Sequence, residues 1–285
     1  MRVLITGASG QLGLDLSHEC QAAGDEIHAA DRQHLDVCSR SDVLGAVTSL
    51  SPDVVVNCAA WTAVDACEAD PDRALAVNGT SVRWLAEACR RSGSHLVQLS
   101  TDYVFDGTLD RPYHEWDTTN PRSAYGISKL AGEREALALG THATVVRTSW
   151  VCGAHGSNMV KTVLRLAGVH RQLSFVSDQV GHPTFTQDLA VVLRRIALDR
   201  LSGVVHVTNQ SAVSWYEFAR EVVAATGRDP AMVKPITTAE LQPPRPAPRP
   251  ANSVLDNRVL SAAGYPLLRD FREPLAETVA ALLQR

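Results

Sequence analysis

Tyr125 and Lys129 stand four residues apart in Tyr125-Gly-Ile-Ser-Lys129, the spacing at which two side chains share one face of a helix. A phenol and an ammonium brought to one spot make a proton donor. The cation favours phenolate and is expected to draw a tyrosine from its usual ~10 toward the range of an acid/base catalyst. Tyr-x-x-x-Lys also arises by chance on ordinary helix faces, so the pair acquires meaning only through what accompanies it.

Its first companion is the N-terminus, Met1-Arg-Val-Leu-Ile-Thr-Gly7-Ala-Ser-Gly10-Gln-Leu-Gly13, which reads as strand, tight turn and helix. Glycines at this spacing let a pyrophosphate approach amides at a helix N-terminus, where free N–H groups and the dipole favour negative charge. A helix over 12–23 follows, with Gly24 as its C-cap, then a strand from Glu26 to Ala30 ending at Asp31. An acidic residue there holds the adenosine ribose hydroxyls, whereas Arg32 beside it suits a 2′-phosphate. NADPH and NADH both stay open at this point. A second companion is Leu96-Val-Gln-Leu-Ser100-Thr101-Asp102, an apolar strand with a polar carboxyl end, where open α/β sheets bind ligands. A Ser100 or Thr101 hydroxyl would polarise the same carbonyl that Tyr125 protonates; an ST-turn closing the strand is the plainer role for such a hydroxyl.

These three features in this order resemble an extended short-chain dehydrogenase/reductase. Asn57-Cys-Ala-Ala-Trp-Thr62-Ala-Val-Asp65, Ser100-Thr-Asp-Tyr-Val-Phe-Asp-Gly107, Tyr125-Gly-Ile-Ser-Lys-Leu-Ala-Gly-Glu133, Arg147-Thr-Ser-Trp150-Val, Asp178-Gln-Val-Gly-His-Pro-Thr184 and Arg249-Pro-Ala-Asn-Ser-Val-Leu255 narrow the resemblance to the dTDP-4-dehydrorhamnose reductase family, nearly end to end. The resemblance implies NADPH- or NADH-dependent reduction of the C4 ketone of dTDP-4-dehydro-6-deoxy-L-mannose to dTDP-L-rhamnose. By the same resemblance Thr101, Tyr125 and Lys129 are catalytic, and Gly7, Gly10, Gln11, Leu12 and Gly13 form the cofactor turn. Asp31 or Arg32 meets the ribose side, Asp36 and Val37 lie near adenine, and Ala60, Trp61 and Thr62 follow the third strand. Asp36 equally fits an N-cap or Asx turn. Thr101, Asp102, Trp150 and Arg249 are the implied substrate contacts.

Cys152 and Trp61 depart from the residues usual in the family, and both are expected to border the ligand. Some relatives dimerise through a magnesium held by glutamates. The matching positions here, Asp15 and Asp188, carry the shorter carboxylate, which puts Mg2+ dependence in doubt and leaves a homodimer possible. A sister reductase of another dTDP-4-keto-6-deoxyhexose would use the same residues. A catalytically idle NAD(P)-binding regulatory subunit shares the architecture, and retention of Thr101, Tyr125 and Lys129 argues against it.

The 285 residues are 45% apolar with a formal charge of -4, enough for a full α/β core and no electrostatic case for nucleic acid or an anionic membrane. Six cysteines without metal-ligand spacing read as buried thiols of a reducing, cytoplasmic compartment rather than disulfides. No run approaches the ~20 apolar residues of a membrane span, and no leader is expected.

Apolar strands at 3–5, 27–30, 54–57, 96–99 and 144–147 alternate with helices near 12–23, 40–49, 71–92 and 123–138. That alternation predicts an α/β fold: a Rossmann-type doubly wound parallel sheet with a smaller C-terminal substrate-binding lobe. We expect a cofactor domain over 1–150, rejoined by 184–208, and a substrate lobe from 151–183 and 209–285. Helices at 157–168, 186–199, 214–226 and 271–284 and a strand at 203–208 fill the second half. Pro243-Pro-Arg-Pro-Ala-Pro-Arg-Pro250 has polyproline composition, and is expected to be a stiff loop that carries Arg249 into the sugar-nucleotide pocket rather than a linker.

Overall fold

The computed structural model describes residues 1–138 and 143–284. Its centre is a six-stranded parallel sheet built from β1 (Arg2–Thr6), β2 (Glu26–Ala30), β3 (Val54–Asn57), β4 (His95–Thr101) and β5 (Ala143–Thr148), joined by β10 (Gly203–His206). Between the last two come the short strands β6 (Val151–Cys152), β7 (Leu173–Val176), β8 (Val180–Gly181) and β9 (Thr184–Phe185). The sheet order is β10-β5-β4-β3-β1-β2.

Alternation along the strands divides the core. Val3, Ile5, Val54, Val56, Val97, Leu99 and Val146 face one apolar cluster, while Leu4, Val55, Leu96 and Val145 face the other. The first cluster takes Leu16 and Cys20 from α1 (Gln11–Ala22) and Leu189, Leu193 and Ile196 from α8 (Thr186–Asp199). The second is covered by α2 (Arg40–Leu50), α5 (Ser81–Ser92) and α6 (Ala124–Ala138). Burial on both faces explains why these strands are continuous apolar runs.

Order reverses around β1, which pairs with β2 on one side and β3 on the other. A crevice therefore opens beyond the carboxyl ends of β1 and β3, where doubly wound sheets bind ligands. A buried polar row crosses the sheet there: Thr6 donates to Asn57 at 2.5 Å, and Asn57 donates to Gln98 at 2.7 Å.

The expected helix over 71–92 is not continuous. After α3 (Val64–Ala69), α4 (Pro71–Leu75) passes into a π turn over Ala76–Thr80 before α5 begins. The turn projects Asn78 between two segments: its side chain accepts from Trp61 N at 2.8 Å and donates to Trp61 O and to Ser128 Oγ, both at 3.0 Å. A wider turn inserted into a helix often marks a functional region, and here it ties the loop after β3 to α6.

The second half gathers a separate apolar cluster from α7 (Met159–Val169), α9 (Trp215–Ala225) and α11 (Arg272–Leu283). Three short ladders accompany it, β6 with β9, β11 (Val213–Ser214) with β8, and β12 (Val233–Ile236) with β7. Leu260 of α10 (Arg258–Ala262) and Leu268 return to the sheet's own core, a packing that sequence periodicity did not indicate. All six cysteines are free thiols, and no helix among the described residues is long and apolar enough to cross a membrane.

Gly7 has φ +64, and a Cβ placed on it would lie 2.6 Å from Ala59 N. Gly7→Ala meets both a left-handed backbone and a backbone collision. It is expected to cost at least about 2 kcal/mol of stability, read as a lower midpoint in thermal or urea unfolding.

Candidate functional site

Tyr125 and Lys129 sit one turn apart on α6, whose start is fastened from two directions. Ser123 Oγ accepts from Gly126 N at 3.1 Å, and Glu68 accepts from Ala124 N at 2.7 Å. A Cβ at Gly126 would collide with the Tyr103 carbonyl, and one at Gly132 with the Asn78 carbonyl. The helix thus lies against the end of β4 and against the π turn at backbone contact distance.

Two hollows meet at this place and share Gly10, Cys58 and Ala60. The larger, about 450 Å³, is lined by Thr101, Asp102, Tyr125, Lys129 and Trp150 together with Gln11, Leu12 and Thr62. The other, about 300 Å³, is lined by Gly7, Arg32, Asp36, Val37 and Trp61. Sequence reasoning missed several neighbours in these walls: Ser9, Cys38 and Arg73 in the smaller hollow, Tyr103, Ser157 and Trp215 in the larger.

The Tyr125 phenol is pushed up from its ordinary value, first by burial and then by the Asp102 charge, with a Thr101 hydrogen bond opposing. The expected lowering by Lys129 is not what the geometry gives. Lys129 Nζ instead donates to Leu99 O at 2.6 Å, and burial brings its own pKa down to about 8 against the raising influence of Glu133. Desolvation is the largest influence on each, so both side chains are driven toward neutral forms. Thr101 Oγ1 donates to Asp102 Oδ1 at 2.8 Å and accepts from Tyr103 N at 3.2 Å. The ST-turn role and the place in the cavity wall belong to one hydroxyl. Ser100 is engaged elsewhere, donating to Glu133 at 2.5 Å.

Asp102 is buried, its Oδ2 without a hydrogen-bond partner among the described residues, and burial raises its pKa to about 6. Trp150 adopts φ +46 and stacks on Trp215, ring centroids 3.5 Å apart and planes 6° from parallel, giving the cavity a flat indole wall. Trp61 lies under the Arg73 guanidinium at 4.4 Å.

Five expectations need correction or refinement. Arg249 does not line either hollow; its guanidinium makes a two-point contact with Asp65, at 2.6 and 2.8 Å. The proline-rich segment is thereby docked on α3, with Ala247 N also donating to Asp65 at 3.1 Å. Asp31 stands outside the crevice wall, its Oδ1 accepting from Gln33 N at 2.8 Å and paired with His34 Nδ1 at 2.7 Å; Arg32 is the residue that faces the crevice. Asp36 makes an Asx turn to Cys38 N at 3.0 Å while also lining it. Cys152, expected beside the ligand, is buried in the second-half core, and Gly13 packs inside the glycine turn.

The two carboxylates considered for magnesium are separately engaged. Asp188 binds Arg269 at 3.1 Å and accepts from Asn209 at 2.7 Å, while Asp15 faces His155 at 3.5 Å. A divalent ion on Asp188 would have to displace an arginine.

The sequence model of the RmlD substrate binding domain matches residues 1–284. The chain belongs to that family. A dTDP-4-dehydrorhamnose reductase of Streptomyces griseus is 45% identical over 290 residues, covering 100% of this chain and 95% of that protein. The crystal structure of a dTDP-4-dehydrorhamnose reductase from Clostridium acetobutylicum superposes with TM-score 0.95 at 42% identity over 100% of both chains. One from Bacillus anthracis, in complex with NADP, gives TM-score 0.94 at 35% identity, covering 98% of this chain and 99% of that one. The RmlD family resemblance thus extends over the whole sheet and the second half alike.

Asp102 permits a signed test. Its folded-state pKa, about 6, exceeds the ordinary carboxyl value of 3.8, so its contribution to stability is fully present below the unfolded pKa and is lost as pH rises through about 6. Asp102→Asn is therefore expected to gain stability relative to the parent as pH rises from about 4.5 to about 7.5, by about 2 kcal/mol at ~1.4 kcal/mol per unit. Parallel thermal melts at the two pH values measure it; an unchanged gap would contradict a carboxyl group whose pKa is raised by burial.

Proposed function

We propose that this protein is an NADPH-dependent reductase of the C4 ketone of a dTDP-4-keto-6-deoxyhexose, with dTDP-4-dehydro-6-deoxy-L-mannose as substrate and dTDP-L-rhamnose as product. The observation that carries this reading is the convergence of Thr101, Tyr125 and Lys129 on one cavity that joins the glycine-turn crevice.

The residues present fit a dinucleotide. α1 begins at Gly10 without a side-chain cap, so its first amides are free for a pyrophosphate. The space a Cβ would fill at Gly7 is closed by Ala59, which keeps the turn tight. Arg32, rather than the turned-away Asp31, faces the adenosine side, and an arginine there suits a 2′-phosphate. The solved NADP complex of the Bacillus anthracis relative supports the same preference.

A bound reduced nicotinamide supplies the hydride. The chain's own part is to hold the ketone and deliver a proton. Tyr125, kept protonated by burial, gives its proton to the alkoxide as it forms. Thr101 turns its hydroxyl from Asp102 toward the same oxygen, and the Lys129 ammonium stabilises the phenolate left behind. The Trp150–Trp215 wall offers an apolar face to the sugar or base. Asp188 is already paired with Arg269, which argues against a magnesium ion at that carboxylate.

Loss of NADPH absorbance on addition of a 4-keto sugar nucleotide tests the whole reading. Tyr125→Phe is expected to lower kcat by about 10²–10⁴-fold with cofactor affinity little changed; near-normal turnover would remove Tyr125 from the mechanism. Because the ammonium form of Lys129 is lost near pH 8, kcat/KM for reduction should fall as pH rises through that value. Arg32→Ala should lower the kcat/KM ratio of NADPH over NADH by about tenfold or more, at 1.4 kcal/mol per decade for a lost charged contact. A product other than dTDP-L-rhamnose by NMR would point to a sister ketoreductase.

A further inference from the structure

α6 continues the line of Tyr125 and Lys129 with a third buried side chain, Glu133, 3% exposed. Its carboxylate takes Arg147 Nε at 2.9 Å and Arg147 Nη2 at 2.7 Å on Oε1 and Oε2, and the Ser100 hydroxyl at 2.5 Å. Arg147 stands on β5, donates to Glu115 O at 3.2 Å and lies over the Phe105 ring at 5.1 Å. Ser100 precedes Thr101 on β4, and Lys129 holds the carbonyl of Leu99 on the same strand. Successive strand residues Leu99 and Ser100 are thus held by Lys129 and Glu133 of one helix.

We propose that the buried Glu133–Arg147 pair is the positioning element of the reductase site, fixing the end of β4 against α6 and with it the place of Lys129, one turn before Glu133 on that helix. The proposal rests on the reductase reading above for its kinetic arm alone. A buried ion pair is weak as a source of stability and is replaceable by apolar residues of like volume, so a purely structural pair would leave the chemistry untouched when so replaced. The titratable groups around Lys129 are Tyr125 and Glu133 on its own helix, Asp102 at the end of β4, Cys58 after β3 and Arg147 on β5. Burial lowers the Lys129 pKa and Glu133 is the leading charge that raises it; Cys58, its thiol pushed up to about 12 by burial, is neutral.

The chain has three lysines, Lys129, Lys161 and Lys234, which makes the test direct. Lysine-ε-¹³C protein is titrated by NMR without cofactor, the Lys129 resonance being the one missing from Lys129→Met. In Glu133→Gln and in the double variant Glu133→Met/Arg147→Met, Lys129 is expected to titrate at least about half a unit lower. The same variants should lose about tenfold to a hundredfold in kcat. Where Glu133→Gln does not fold, the double variant carries both readouts. Parental values for either readout in a folded variant overturn the proposal, as does failure of both variants to fold, which would make the pair a stability element. An inactive parent enzyme would sink the reductase reading instead, and the titration would still decide whether Glu133 sets the charge of Lys129.

Discussion

Close backbone contact around α6 is the constraint from which the site follows. Positions 126 and 132 face the carbonyls of Tyr103 and Asn78 with no room for a side chain, so the helix rests on the end of β4 and on the π turn together. That proximity puts Tyr125 against Thr101 and lets a lysine side chain reach the Leu99 carbonyl. The π turn is part of the same contact, because Asn78 can bridge Trp61 and Ser128 only where the helix is widened at its own position.

The closeness has an electrostatic consequence. Water is excluded, and desolvation moves the phenol up and the ammonium down, the reverse of what attraction between two isolated groups would do. In the proposed reduction this is serviceable: a phenol acting as proton donor would need its proton before the hydride arrives, and one that ionised easily would have lost it. The opposing requirement, a lysine still cationic near neutral pH, is met by a carboxylate one turn further on that is itself held by an arginine. Dry surroundings and a compensating charge act together, and neither suffices alone.

Much of this was legible in the sequence, and what was not has a common cause. The six sheet strands and their helices could be read because apolar runs and amphipathic periods are local signals. β7 and β12 could not: each has four residues, and β12 carries Pro235, which suits an edge position and reads against a strand. Spacing paired Tyr125 with Lys129, the family resemblance singled out Thr101, and the three line one hollow. The partners that set their behaviour are long-range: Glu133 to Ser100 across 33 positions, Trp150 to Trp215, Asn78 to Ser128. Nothing in a period or a motif encodes such pairings. The direction of the Tyr125 shift was misjudged for the same reason, since spacing reports a neighbouring charge but not the depth of burial.

Arg249 illustrates how a correct local reading can miss its partner. Proline at alternate positions predicted a stiff segment with an arginine at its end, and stiffness alone gives no destination. Asp65 lies 184 residues away in sequence and follows the Ala60–Thr62 loop that lines both hollows. A two-point guanidinium–carboxylate contact fixes orientation as well as distance, and at the protein's partly exposed rim its worth in stability is modest. Its effect is therefore geometric: the proline segment and the loop after β3 are joined into one edge of the cavity.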